Sequence, residues 1–95
     1  MANFNKVLTE EEIKEKLTEA PGWAYKGDRI EKRYEFKDFK ESMEFVQKIG
    51  EMCAYVGHNP IIGINNNKVV LSLTTKEDGG VTSSDIMVAQ RIDML

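Results

Sequence analysis

The stretch Gly57-His58-Asn59-Pro60, followed by Lys68-Val69-Val70-Leu71-Ser72-Leu73-Thr74-Thr75 and then Lys76-Glu77-Asp78-Gly79-Gly80, decides how this chain is read. A proline pushes the residue before it out of helical geometry, so a helix arriving from upstream must end before Asn59. Gly57 is a natural stop for it. From Lys68 onward, Val69, Leu71 and Leu73 face one way while Val70, Ser72 and Thr74 face the other, the period of a strand with one buried face. Gly79-Gly80 then breaks the chain. Helix end, strand and glycine turn thus gather around His58, the only histidine in 95 residues. An imidazole titrates near neutrality and can give or take a proton there, so His58 is a candidate acid/base. A surface loop histidine without a role is the plainer alternative.

Working outward, the upstream periodicity is helical. Phe39, Met43, Val46, Ile49, Cys53 and Val56 recur at spacings of three and four, which predicts about five turns. Asp38-Phe39-Lys40-Glu41 has the form of a capping box at the start. Phe45 and Met52 widen the stripe, so this helix is expected to touch more than one neighbour. Before it, Ile30, Tyr34 and Phe36 alternate with charged residues as a half-buried strand does, and Lys32 interrupts the apolar face, a sign of an edge or a partly exposed face. Trp23–Lys26 reads as a short strand joined to it by the Gly27-Asp28 turn. Thr9-Glu10-Glu11-Glu12 caps a first helix carrying Ile13, Leu17 and Ala20, which Pro21-Gly22 ends.

After Pro60, Ile61–Ile64 forms a short strand and Asn65-Asn66-Asn67 a turn. Thr82-Ser83-Ser84-Asp85 is a third capping box, opening a helix with Ile86, Ala89 and Ile92 on its inner stripe. The order is α-β-β-α-β-β-α. Two hairpins separated by a long helix predict an α+β domain, residues 1–95: a four-stranded antiparallel sheet with helices packed on one face.

Composition excludes several function classes. At 41% hydrophobic and 31% charged residues the chain has an ordinary globular make-up. A net charge of −3 offers no footprint for a phosphate backbone, so no direct nucleic-acid partner is expected. No apolar run approaches the roughly 20 residues of a membrane span. Met1–Lys6 lacks an apolar signal segment, so a cytoplasmic location is expected. One cysteine and one histidine cannot make a disulfide or a structural zinc site, so no metal is expected. Cys53 falls on the inner stripe of the long helix and reads as core. Ser83 and Ser84 sit in no nucleophile elbow, and Gly79-Gly80 lacks the spacing of a phosphate loop.

Taken together, Pro21-Gly22-Trp23, Phe36-Lys37-Asp38-Phe39, His58-Asn59-Pro60, Asn67-Lys68-Val69, Thr74-Thr75, Gly79-Gly80-Val81-Thr82 and Asp85 resemble the pterin-4a-carbinolamine dehydratase family, without a gap from His58 to Asp85. The resemblance implies the same fold, assembled as a homodimer or homotetramer. It implies removal of water from 4a-hydroxytetrahydropterin to give quinonoid dihydropterin by acid/base catalysis, with no metal or bound cofactor. Members usually carry a His-His-Pro step and a third histidine at the end of the following long strand. Here the first is His58, the second is Asn59 and the third position is Lys76. The usual acidic residue four positions before the first histidine is Ala54, and Asn65 or Asn66 replaces the usual aromatic after the proline.

On this basis His58 and Lys76 are the candidate catalytic residues, and Asn59, Pro60, Thr75 and Asp85 the candidate substrate-binding ones. Asn59 has a second reading as a helix-exit cap, Pro60 as the element that aims His58, and Asp85 as an N-terminal cap. Lys76 reads otherwise as a solvated loop lysine, and Thr75 as a strand residue. The expected activity is that of a hydro-lyase in pterin cofactor recycling. The alternative is a weakly active or inactive member serving as a pterin- or protein-binding module, since some members partner a transcription factor.

Overall fold

The computed structural model describes residues 6–95; the leader expectation for Met1–Asn5 lies outside them. The elements are α1 (Glu10–Lys16, continued by a 3-10 turn at Leu17–Glu19), β1 (Ala24–Tyr25), β2 (Ile30–Glu35), α2 (Phe39–Val56), β3 (Ile61–Asn65), β4 (Lys68–Leu73), a second 3-10 turn (Lys76–Asp78) and α3 (Ser83–Ile92). All four strands form one antiparallel sheet in the order β1-β2-β4-β3. The expected α-β-β-α-β-β-α fold is therefore present.

Each boundary follows from local chemistry. Thr9 accepts a hydrogen bond from the Glu12 amide while the Glu12 carboxylate accepts one from the Thr9 amide. Asp38 likewise accepts from the Glu41 amide. Here the return bond from Glu41 reaches back one residue further, to the amide of Lys37. At its far end α2 stops at Gly57, whose φ of 84° is left-handed and free of Cβ strain only in glycine. The Asn turn is shorter than expected: β3 runs through Asn65, which pairs with Lys68, and Asn66 adopts a φ of 56° in the two-residue loop. The first strand is also shorter, two residues where four were expected.

The predicted alternation of β4 holds. Val69, Leu71 and Leu73 are fully buried and pack with Ile30, with Ile13 of α1, with Ile49 and Cys53 of α2, and with Ile86, Val88, Ala89 and Ile92 of α3. The three helices thus cover one face. Burial pushes the Cys53 thiol up in pKa, which keeps it an inert core group.

Lys32 explains itself in this register. It sits on the helix-covered face opposite Leu71, yet β1 pairs only with Ile30 and Glu31, so the outer edge of β2 is open beyond Glu31. Its ammonium reaches Asp93 just past α3 at 2.8 Å and the carbonyl of Pro21 at 3.0 Å. Trp23 Nε1 and the Tyr34 hydroxyl donate to the same carboxylate at 3.0 and 2.6 Å. This network ties the C-terminal end of α3 to the sheet. Among the described residues, no helix is long and apolar enough to cross a membrane.

Candidate active site

Four elements converge on His58: the exit of α2, the start of β3, the turn after β4 and the first turn of α3. Pro60 enforces the exit and leads directly into β3 at Ile61. The bridge between Thr75 and Gly80 closes the loop that carries Lys76. Between these elements lies an open depression of about 370 Å³, lined by His58, Asn59, Ile61, Ser72, Thr74 and Lys76, with Gly57 and Glu77 completing the wall. That volume falls in the range of small-molecule sites. It lies on the sheet face opposite the core, which is why Ser72 and Thr74, the outward residues of the β4 alternation, form its floor.

Behind the depression is a buried polar chain. His58 Nε2 lies 2.6 Å from Asp85 Oδ1, with the imidazole side chain 20% exposed and the carboxylate fully buried. Asp85 Oδ2 accepts from the Thr75 hydroxyl at 2.9 Å and from the Thr82 amide at 2.9 Å. The Thr75 and Thr82 hydroxyls are 2.9 Å apart, and Thr82 also accepts from the Ser84 amide. Thr75 and Thr82 are buried as well. Every buried side-chain nitrogen and oxygen among the described residues has a partner, so this chain is complete.

The structure therefore brings His58, Asn59 and Lys76 to one wall and sets Asp85 behind His58. Asp85 does two separate jobs: Oδ2 caps α3, as one of its readings expected, and Oδ1 holds the imidazole. Asn59 is not a helix cap; Gly57 fills that position, and the Asn59 side chain has no hydrogen-bond partner among the described residues. Pro60 stands outside the lining. Thr75, a candidate substrate-binding residue, is 4% exposed with its hydroxyl turned inward to Asp85. Ser72 and Ile61 were missed as lining residues, although the β4 alternation already put Ser72 on the open face beside Thr74.

Two depressions elsewhere are distinctly larger. One of about 570 Å³ runs over the far end of the sheet near Arg33, Ile64 and Lys68. The other, about 660 Å³, is bordered by Lys32, Tyr34 and Asp93, whose polar atoms already satisfy one another. Neither contains an imidazole, so neither offers a group that exchanges protons near neutral pH.

Residues 6–95 match the family model described as pterin 4 alpha carbinolamine dehydratase. The chain belongs to this family. Among its relatives, a Sulfurisphaera tokodaii protein provisionally named pterin-4-alpha-carbinolamine dehydratase is 43% identical over 90 residues, 95% of this chain and 97% of the relative. A Koribacter versatilis protein with the same provisional name is 44% identical over 90 residues, covering 95% and 96%. The crystal structure of a Brucella melitensis protein titled transcriptional coactivator/pterin dehydratase superposes with a TM-score of 0.88 at 30% identity, over 94% of this chain and 97% of that one. Membership accounts for the cluster of matching residues from His58 to Asp85.

Proposed function

We propose that the chain is a hydro-lyase that dehydrates 4a-hydroxytetrahydropterin to quinonoid dihydropterin. The observation that carries this reading is His58 on the wall of the depression with a fully buried carboxylate 2.6 Å behind it. In the reaction the C4a–O bond breaks, N5 gives up its proton, and the departing hydroxide gains one to leave as water. His58 takes the N5 proton and returns a proton to the leaving oxygen. The Lys76 ammonium, on the same wall, steadies that oxygen by hydrogen bonding. Asn59 offers an amide donor and acceptor to the ring edge, and Ile61 an apolar surface against it. The test follows decay of 4a-hydroxytetrahydropterin with and without the protein. Acceleration by catalytic amounts supports the proposal; decay at the spontaneous rate rejects it.

A second reading, a pterin- or protein-binding module, draws on Lys76 and Asn59 standing where the family usually has histidines. Lys76→His separates the two. A dehydratase should gain turnover as a second imidazole enters the wall, whereas a binding module stays silent.

The outer face of α2 supports self-association. Phe39 and Met43 are 52% and 44% exposed, while Ile49 and Cys53 of the same helix fill the core. Exposed apolar surface of this kind is commonly covered by a second copy. Sedimentation at micromolar concentration should give a dimer or tetramer; a lone 10.8 kDa species would rule this out.

A further inference from the structure

We propose that the buried chain Thr82–Thr75–Asp85 fixes the tautomer of His58, placing the ring proton on Nε2 and leaving Nδ1 as the nitrogen that works in the depression. Thr75 is then a positioning residue, acting on the reaction only through Asp85 and the imidazole. The inference deepens the dehydratase proposal and rests on it for its chemical meaning, but the tautomer itself is a property of the free protein.

The direction of every bond in the chain follows from counting protons. The Thr75 hydroxyl has one hydrogen, and it is donated to Asp85 Oδ2. The contact between Thr75 and Thr82 must therefore run the other way, with the Thr82 hydroxyl donating to Thr75 Oγ1. Thr82 keeps a lone pair for the Ser84 amide, so no group in the chain is asked for two hydrogens. Asp85 Oδ2 receives two donors, the Thr75 hydroxyl and the Thr82 amide. The carboxylate is thereby aligned with Oδ1 toward the ring, and an oxygen acceptor 2.6 Å from Nε2 selects the tautomer that carries hydrogen there.

The other ring nitrogen has no such partner. Among the described residues His58 makes no second hydrogen bond, and no buried side-chain nitrogen lacks one, so Nδ1 is open to solvent. Turning the ring over would put a carbon against Asp85, which forfeits the bond. The charged groups around the ring are Asp85 from α3 and, from the turn after β4, Lys76 and Glu77 on the same wall. Of these only Asp85 bonds the imidazole. The arrangement follows the logic of a carboxylate that holds a histidine in one tautomer, where replacing the acid by its amide leaves geometry intact and inverts the proton's position. A hydroxyl pair behind the acid adds a lock on its rotation, because Oδ2 cannot swing away without leaving the Thr75 hydroxyl and the Thr82 amide unpaired in a buried site.

Nitrogen-15 spectroscopy of the imidazole tests this directly, since the chain has one histidine and its signals need no assignment variants. At a pH where the ring is neutral, Nε2 should show the shift of a protonated nitrogen and Nδ1 that of an unprotonated one. The reverse pattern, or two averaged shifts, overturns the proposal. Asp85→Asn should invert the pattern, because an amide N–H then faces Nε2 while the amide oxygen still accepts from Thr82 and Thr75. Thr75→Val should move both shifts toward the average and lower kcat with KM little changed, and Thr75→Ser should restore both. If Thr75→Val leaves the shifts as in the parent, Thr75 has no positioning role. If the shifts are as expected but the parent does not accelerate pterin dehydration, the tautomer assignment stands and the dehydratase reading falls.

Discussion

His58→Ala is expected to lower turnover of 4a-hydroxytetrahydropterin by about 10²–10⁴-fold, the usual contribution of a positioned acid/base. That corresponds to about 3–5.5 kcal/mol of lost transition-state stabilisation. The adjacent Asn59 amide does not titrate, and Asp85 is fully buried behind the ring it would have to replace. The substitution also removes the partner of Asp85 Oδ1. Water entering from the open depression fills that role, so the cost to folding is on the order of 1 kcal/mol. A thermal midpoint lowered by about 4–8 °C goes with that figure in a chain of this size. At an assay temperature well below the midpoint, the activity loss then far exceeds any loss of folded protein. Turnover that is measurable and indifferent to His58→Ala would remove the imidazole from the mechanism.

Asp93→Ala should do the opposite, lowering stability by about 2–3 kcal/mol while leaving kcat near the parent value. Three donors converge on Asp93, from Trp23, Lys32 and Tyr34. Hydrogen bonds to a charged acceptor contribute about 1.5–3 kcal/mol each when fully buried. Here the side chains of Lys32 and Asp93 are each 20% exposed, and Lys32 keeps the Pro21 carbonyl, so the sum is reduced by solvent. An aspartate at the C-terminal end of a helix opposes the helix dipole, and the three donors offset that cost. The expected readout is a midpoint lowered by about 10–20 °C.

The same cluster sets an alkaline limit. Burial raises the Tyr34 phenol well above its ordinary pKa, and the hydrogen bond to Asp93 and that residue's charge add to the shift. The fold therefore holds the phenol protonated while the unfolded chain ionises near pH 10. Stability is complete below that pH and falls as pH rises above it. Tyr34→Phe should flatten this limb in urea titrations at alkaline pH. An unchanged limb would assign it to other groups.

Asp85 and Asp93 occupy the two ends of α3, and the contrast between them measures how much of this molecule was legible in its residues. The Thr82-Ser83-Ser84-Asp85 capping box could be read directly, because capping depends on neighbours three positions apart. The second role of Asp85 could not: the His58 ring arrives from 27 residues away, brought by the exit of α2. Asp93 gave no signal at all, since Lys32 and Trp23 meet it only once α3 lies across the sheet. Lys32 was legible as an anomaly in an apolar alternation, and its explanation was a partner 61 residues distant. Thr75 is the sharpest case. It read as a strand residue but lies just past β4, and whether its hydroxyl faced substrate or Asp85 turned on the bridge to Gly80 that closes the loop.

Periodicity, capping and the Asn59-Pro60 break determined the elements and their order, because those are short-range effects of backbone sterics and alternating burial. The tertiary structure alone decided which titratable groups touch. Those contacts join residues far apart in the chain, and only the packing of α3 across the sheet brings them within hydrogen-bonding distance.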